Sequence, residues 1–527
     1  MSHKALLMDG VDPVCADIFT QRGFEVLQPG KLTEEELNTV IANVDVIVVR
    51  SATKVTEGLL GRAKKLRVVG RAGVGVDNID LDAATRMGIL VMNTPDGNTI
   101  STAEHTCGLI LALSRNIPEA VRSLKEGRWD RKKYLGTELH GKTLGIIGLG
   151  KIGATVAARM RAFDMNLIGY DPYTTHEKAA EMGVTMMELD EILARADYLT
   201  VHTPITEQTR GLISLKKASI IKKGMRLINA ARGGIYAEED LIPLIEQGII
   251  SGVALDVYSQ EPPTDSVKEM LRHPAIIGTP HLGASTQEAQ GKVAEQIATQ
   301  IADAIEQKSY KGSINGKSIA LSTNKEVQPF LELAERFGRF LSQIAPSHIE
   351  EIPVVYSGTC ARHSQVLTDA LLSGYLSDSV DEVVNLINAR YHAEVRGLKI
   401  SETSREAQIY SDLISVDLGP RAGYRRLAAT LFGTGDYRVV SIDGYSIEIS
   451  LDGFIILYRN IDKPGMLAAT SNVLARRNIN IASLSLGRDR QQAEAITAFT
   501  VDSRPDPQDL DELEKMDGVH MVRNVTI

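Results

Sequence analysis

Residues 142–153, KTLGIIGLGKIG, and the later stretch LIGYD at 167–171 decide how this chain folds. The apolar run Leu144–Ile147 has the length and β-branched content of a buried strand. Lys151–Phe163 then places Ile152, Val156, Ala157 and Met160 at helical spacing. Gly148, Gly150 and Gly153 therefore lie on a strand-to-helix turn. Their missing Cβ atoms let backbone N–H groups approach a pyrophosphate, whose charge the helix dipole stabilises. A second strand, Asn166–Tyr170, leads to Asp171, eighteen residues beyond Gly153. A carboxylate there accepts hydrogen bonds from ribose 2′ and 3′ hydroxyls and repels a 2′-phosphate, so the spacing predicts NAD rather than NADP. The bland alternative is a tight turn closing a helix onto a sheet; strand, helix, second strand and terminal acid in register weigh against it.

Upstream, GRAGVGVDN offers a contrast. Gly73 and Gly75 follow an expected strand at Leu66–Val69, but no third glycine completes the fingerprint, so this loop is read as gripping something other than the dinucleotide.

A chain of 527 residues is too long for one core, and about 150 residues per domain predicts three or four. Hydrophobic residues at 43% and charged residues at 24% are those of a globular protein. The net charge of −9, without a long basic run, argues against nucleic acid as the main partner. Cys15, Cys107 and Cys360 are widely spaced and show no metal-ligand pattern, so buried reduced thiols and no metal are expected. MSHKALLMDG enters directly into an apolar strand, and no run of eighteen apolar residues occurs, which predicts a cytoplasmic protein.

To about residue 313, short apolar strands (KALLMD, VDVIVV, RVVG, ILVMN and the series from Leu144 to Thr279) alternate with helical patterns. That is the signature of doubly wound α/β lobes. A helix is expected over Ser101–Leu113 and another over Gln287–Gln307, capped by Ser285 and Thr286 and crossing back onto the first lobe. The Gly- and Ser-rich stretch SYKGSINGKS, 309–318, marks a boundary. Residues 320–452 then read as α+β, with a helix at Val327–Ile344, strands at IPVVY and AEVRGLKI, and a hairpin-like end. The last 75 residues read strand, helix, strand, strand, helix, strand, the order of a ferredoxin-like split sandwich that seeks a partner for its open face.

Ligands of open α/β sheets sit beyond the carboxyl ends of the strands. Three candidates stand there: Arg232 after RLINAA, Glu261 after VALDV and His281 after IIGTP. Removing hydride from a secondary alcohol needs a base for the hydroxyl proton, which suits His, with a carboxylate to orient it and an arginine to take a substrate carboxylate. Arg50, before Ser51, and Arg71, before Gly73, end strands of the first lobe; two arginines suit a doubly anionic substrate, with Asn98 as an added donor. Taken singly, each has an ordinary reading as a surface ion pair or packed loop residue.

Together these residues resemble the D-2-hydroxyacid dehydrogenase family, in particular its long members with intervening and ACT domains. The carriers are VVRSATKV, GRAGVGVDN, NTPDGNTISTAEHT, GLGKIG, VHTPITEQT, NAARGG, ALDVYSQEPP and PHLGAST. The resemblance implies that Arg232 binds and polarises the substrate, His281 is the acid/base and Glu261 its partner. It implies that Arg50, Ser51, Arg71, Gly73, Val74 and Asn98 hold D-3-phosphoglycerate, oxidised with NAD to 3-phosphohydroxypyruvate. Lys151, Ile152, Thr203, Ala231, Asp256 and Gly283 would join Gly148, Gly150, Gly153 and Asp171 around NAD. It further implies a substrate domain (1–98 and 282–313), a Rossmann-like NAD domain (99–281), an intervening domain (314–452) and a ferredoxin-like ACT domain (453–527). A homodimer or homotetramer is expected, with an arm carrying Trp129 and Arg131. Asp462 and Asn480 align with positions that bind L-serine in feedback-inhibited relatives, and Asn460 with a position where relatives differ. Two alternatives stay open: a sister enzyme for glycerate, glyoxylate or lactate, and a non-enzymatic NAD-sensing protein.

Overall fold

A computed structural model describes residues 2–527 apart from 317, 347–348, 378–382 and 490–493, so 317 of the boundary stretch lies outside the described residues. The chain divides into two compact units: Met1–Arg71, Gly75–Asn93 and Ile297–Ile527, and Ala72–Val74 with Thr94–Gln296.

In the first unit, β1 (Lys4–Leu7), β2 (Glu25–Leu27), β3 (Val46–Val49), β4 (Val68–Arg71) and β5 (Leu90–Asn93) pair in the order β2-β1-β3-β4-β5. Every neighbouring pair is parallel. β3 reads VIVV and is buried throughout, as a strand covered on both faces must be. β4 begins two residues later than expected because Leu66 N–H still donates to Ala63 in a turn, and this makes Arg71 the last strand residue. The helix expected after His281 spans Gln287–Ile305, with Thr286 Oγ1 accepting from Ala289 N–H at 3.1 Å. Its later turns pack on this sheet: a Cβ on Gly70 would meet Ile301 Cδ1 at 2.3 Å, and Arg22 Nη2 holds Asp303 and Glu306 at 2.8 Å each.

The same unit carries a six-stranded sheet of β13 (Glu351–Gly358), β14 (Lys399–Arg405), β15 (Asp412–Asp417), β16 (Arg426–Leu431), β17 (Tyr437–Ile442) and β18 (Tyr445–Ser450), ordered β14-β13-β15-β16-β17-β18. The expected hairpin is β17–β18, turned by Asp443 and Gly444 at φ 51° and 88°, both left-handed as a two-residue hairpin turn requires. One expectation fails. AEVRGLKI is not a strand: Ala389–Val395 is a helix, burying Ala389, His392 and Ala393 at helical spacing, and β14 starts only at Lys399. Asn385 and Asn388 tie this region to the first sheet, their Nδ2 groups donating to Gly88 O at 2.9 Å and Arg86 O at 3.3 Å.

The C-terminal strands β19 (Phe454–Ile461), β20 (Ile481–Asp489), β21 (Glu494–Val501) and β22 (Val519–Thr526) form an antiparallel sheet ordered β20-β21-β19-β22, the ferredoxin-like arrangement. Alternation along β19 sends Ile456 and Tyr458 into the core beneath the sheet's own helices and Ile455 and Leu457 into the opposite core. The partner sought by the open face is thus within the chain: Gln343, on helix Gln328–Ile344, exchanges two 2.9 Å hydrogen bonds with Thr526. Ile455 and Leu457 are each 0% exposed, and burial of such side chains stabilises by about 1.5–3 kcal/mol apiece.

The second unit holds β6 (Thr143–Ile147), β7 (Asn166–Tyr170), β8 (Thr185–Met186), β9 (Tyr198–Val201), β10 (Met225–Asn229), β11 (Ile250–Leu255) and β12 (Ile276–Gly278). Their order, β12-β11-β10-β9-β6-β7-β8, is parallel throughout and reverses direction between β6 and β9. Separate apolar clusters cover its two faces. The switch point of such a sheet is where a dinucleotide lies.

Candidate active site

The glycines after β6 have three different physical reasons. Gly148 sits at φ 92°, and a Cβ there would meet the His202 carbonyl oxygen at 2.6 Å. Gly150 precedes helix Lys151–Arg161 with open space where a Cβ would be, leaving the helix N-terminus approachable. Gly153 is buried in the helix, where a Cβ would come 2.0 Å from Gly148 O, so it sets how closely helix and strand pack. Asp171 follows β7 and also ties the loop, accepting from Leu149 N–H at 2.7 Å and Tyr173 N–H at 2.8 Å. Its remaining lone pairs suit two ribose hydroxyls.

Of the other expected cofactor residues, Lys151 is ion-paired with Asp96, and Ile152 is partly buried on the first helical turn. Thr203, beyond β9, has a buried Oγ1 with no hydrogen-bond partner among the described residues. Ala231 N–H and carbonyl are both engaged locally, by Asn229 Oδ1 at 3.0 Å and Arg232 Nη1 at 2.7 Å. Gly283 is committed too: its N–H donates to Asp256 and its carbonyl accepts from Thr102. An open Cβ position, a left-handed glycine and an orphaned hydroxyl fit a dinucleotide.

Arg232, Glu261 and His281 follow successive strands of this sheet. β10 ends at Asn229, earlier than the sequence pattern implied, because the Asn229 amide folds the turn, donating to Arg232 O at 2.8 Å and accepting from Ala231 N–H. That turn presents Arg232. His281 Nδ1 lies 2.7 Å from Glu261 Oε2, and Glu261 Oε1 accepts from Tyr258 N–H at 3.2 Å. An ionised carboxylate only accepts, so Nδ1 carries the hydrogen and Nε2 keeps its lone pair. The hydrogen bond to Glu261 raises the His281 pKa against the opposing effect of burial; the Arg232 charge pulls it down. The ring is 45% exposed, so a substrate can reach it.

His281 is held at φ 53°, an uncommon backbone state for a residue other than glycine. Asp256, absent from the surface at 0% exposure, fixes this turn. Its carboxylate accepts from Thr279 Oγ1 at 2.6 Å, Leu282 N–H at 2.7 Å and Gly283 N–H at 2.8 Å, while its backbone carbonyl accepts from His281 N–H at 2.9 Å. Burial alone would raise the Asp256 pKa; His105, Thr279 and Leu282 hold it below the ordinary carboxylate range. His105 Nε2 lies 3.1 Å from both Asp256 Oδ1 and Thr279 Oγ1, a link with no signal in the residue pattern.

Of the expected substrate residues, Gly73, Val74 and Asn98 belong to the second unit. Gly73 O accepts from Thr94 N–H at 3.0 Å, and Asn98, preceding helix Thr99–Ser114, has a buried Oδ1 without a partner among the described residues. Arg50, Ser51 and Arg71 belong to the first unit, beyond or at the ends of β3 and β4. Two residues the sequence reading missed hold the Arg50 loop. Asp9 accepts from Arg50 N–H at 2.8 Å, Thr53 N–H at 3.0 Å and Thr53 Oγ1 at 2.6 Å; Asn78 Nδ2 donates to Arg50 O at 2.8 Å and Thr53 O at 2.6 Å. Their only signal is position, an Asp one residue past a strand's apolar run and an Asn after a glycine-rich loop.

In the C-terminal sheet Asp462 lines a cavity of about 310 Å³ with Asn460 and Arg488, and Arg488 grips it with two bonds of 2.9 Å. Asn480 is not among the residues lining that cavity; its Nδ2 donates to Asp502 at 2.6 Å.

Residues 107–283 match the NAD binding domain of D-isomer specific 2-hydroxyacid dehydrogenases, 326–443 the D-3-phosphoglycerate dehydrogenase intervening domain, and 454–518 the ACT domain. The chain is 39% identical to the D-3-phosphoglycerate dehydrogenase of Bacillus subtilis over 523 residues, 98% of each chain. The chain belongs to the D-3-phosphoglycerate dehydrogenase family. It is also 44% identical to that of Homo sapiens over 407 residues, 77% of this chain and 76% of the other. Among solved structures, the D-lactate dehydrogenase of Aquifex aeolicus with NAD and lactic acid aligns at TM-score 0.52 and 27% identity, covering 58% of this chain and 96% of that one. Membership in the D-3-phosphoglycerate dehydrogenase family makes the chain an NAD-dependent oxidoreductase.

Proposed function

We propose that this chain oxidises D-3-phosphoglycerate reversibly to 3-phosphohydroxypyruvate, the first committed step of L-serine biosynthesis. The observation that carries the reading is the 2.7 Å Glu261–His281 pair in a unit matching an NAD binding domain. NAD, when bound, accepts the hydride. His281 Nε2 takes the hydroxyl proton, Glu261 stabilises the resulting imidazolium, and Arg232 holds the substrate carboxylate and polarises the reacting oxygen. In the reductive direction His281 returns the proton. Arg50, Ser51, Arg71, Gly73, Val74 and Asn98 are assigned to the substrate, with the two arginines answering its second anionic group. Gly148, Gly150, Lys151, Ile152, Gly153, Asp171, Thr203, Ala231, Asp256 and Gly283 are assigned to NAD.

The domain limits that go with this reading are 1–98 with 282–313, 99–281, 314–452 and 453–527. Among the described residues no helix is long and apolar enough to cross a membrane, and we place the protein in the cytoplasm. Ile117, Val121 and Leu124 are 47%, 47% and 59% exposed along one helix and Trp129 is 76% exposed, which supports a homodimer or homotetramer joined through this arm. L-serine is the assigned effector at Asp462 and Asn480; Arg488 already neutralises Asp462, so a weak response is expected.

The test is NADH formation from D-3-phosphoglycerate and NADH consumption with 3-phosphohydroxypyruvate, set beside glycerate, glyoxylate and lactate. Arg50→Gln should raise KM for the phosphorylated acid roughly 10- to 100-fold, as loss of a charge-assisted hydrogen bond does, and leave that for glycerate unchanged. Preference for an unphosphorylated acid, or NADH binding without turnover of any of these acids, would overturn the assignment.

A further inference from the structure

We propose that His202 is a further cofactor-binding residue, its ring Nδ1 hydrogen-bonding the pyrophosphate or an adjoining ribose of the dinucleotide at the sheet's switch point. The inference rests on the NAD-binding reading above and adds a residue that reading does not contain.

His202 follows β9, the strand across the order reversal from β6, and its N–H donates to Ile147 O, the last residue of β6, at 2.7 Å. Its carbonyl oxygen would lie 2.6 Å from a Cβ on Gly148, so His202 borders the turn that carries the glycine fingerprint. The ring is oriented from within the sheet: Nε2 lies 3.1 Å from the hydroxyl of Thr200, itself 0% exposed. With Nε2 so engaged, Nδ1 is the only polar ring atom left for a ligand. It is shielded from solvent and has no hydrogen-bond partner among the described residues, and the same holds for the neighbouring Thr203 Oγ1. Two adjacent orphaned polar atoms at the end of one strand are a penalty that folds accept where a partner arrives on binding. Burial pushes the imidazole pKa down to about 4, so the ring is neutral near pH 7 and either gives or takes one hydrogen bond at Nδ1, according to the tautomer Thr200 selects.

Calorimetric titration of the full-length protein with NADH and with ADP-ribose tests this without reference to turnover. His202→Phe should raise both dissociation constants roughly three- to tenfold, whereas His202→Asn, which keeps a polar atom near the Nδ1 position, should stay within about twofold of the parent. Melting temperature without ligand should fall for His202→Phe, since the Nε2 hydrogen bond to buried Thr200 is lost, and it reports that structural loss separately from binding; should the larger ring not be accommodated, His202→Ala gives the same comparison of dissociation constants. Unchanged constants for His202→Phe or His202→Ala would overturn the inference while leaving NAD binding intact. A loss with NADH but not with ADP-ribose would overturn the placement at the switch point. Failure of the parent protein to bind NADH would overturn the underlying reading as well.

Discussion

The five-stranded and seven-stranded sheets are both parallel, both built from Val- and Ile-rich strands, and both turn their strand ends into loops containing glycine, yet they equip those loops in opposite ways. In the first, the functional candidates are long side chains, Arg50 and Arg71, and the Arg50 loop is fixed by Asp9 and Asn78. In the second, the loop after β6 presents bare backbone at Gly148 and Gly150, and its scaffold is Asp171 gripping Leu149 N–H from the next strand. A loop that binds with side chains needs its backbone tied down and tolerates any residue that fits. A loop that binds with backbone must lose its Cβ atoms. This is why the second loop is conspicuous as a sequence and the first is not.

If the seven-stranded sheet supplies the chemistry, His281→Ala should lower kcat by roughly 10² to 10⁴ while NADH affinity stays near that of the parent, measured by steady-state rates and fluorescence titration. A kcat within tenfold of the parent would place the chemistry elsewhere. The next effect is a matched pair of glycine substitutions, one in each sheet. Gly148→Ala forces a side chain into the left-handed region and against the His202 carbonyl, at about 1–3 kcal/mol for the backbone alone, so the NADH dissociation constant should rise at least about tenfold. Gly70→Ala meets only side-chain atoms of Ile301 and Ile297, so it should lower the melting temperature and leave NADH affinity alone. Equal losses of affinity in both would erase the distinction between the sheets. The smallest expected effect is a shift of pH. The hydrogen bond that His281 donates to Glu261 raises the His281 pKa, so Glu261→Gln lowers it, and the neutral base becomes available at lower pH. The rising limb of kcat/KM for oxidation should move to lower pH, and the falling limb for reduction should move the same way; limbs that stay put would uncouple the pair.

Much of the candidate site was legible because strand ends are legible. Apolar runs of four to six residues name the strands, and the charged residue after each run is a site candidate; Arg50, Arg232, Glu261 and His281 were found in this way. Asp9, Asn78 and His105 were not, since each acts by reaching a residue far along the chain, His105 meeting Asp256 and Thr279 across more than 150 positions. AEVRGLKI was misread because a buried helix end and a strand share the same short apolar content, and length alone does not separate them. The open face of the C-terminal sheet was correctly expected to need a cover, but alternation says only that a face is apolar, not that Gln328–Ile344 will fill it.

What the sequence determined by itself is most of the order of elements and the dinucleotide pattern from Gly148 to Asp171, and it nominated Arg232, Glu261 and His281 for the proposed hydride transfer, because these depend on local period and on residue types suited to that chemistry. The tertiary structure decided which nitrogen of His281 is left free for the proposed base, since that follows from a 2.7 Å contact with a residue twenty positions away. It also decided that Asp256 clamps the His281 turn, and that the buried His202 Nδ1, just beyond β9, has no hydrogen-bond partner among the described residues. Hydrogen-bond satisfaction is a property of neighbours in space, and no spacing along the chain reports it.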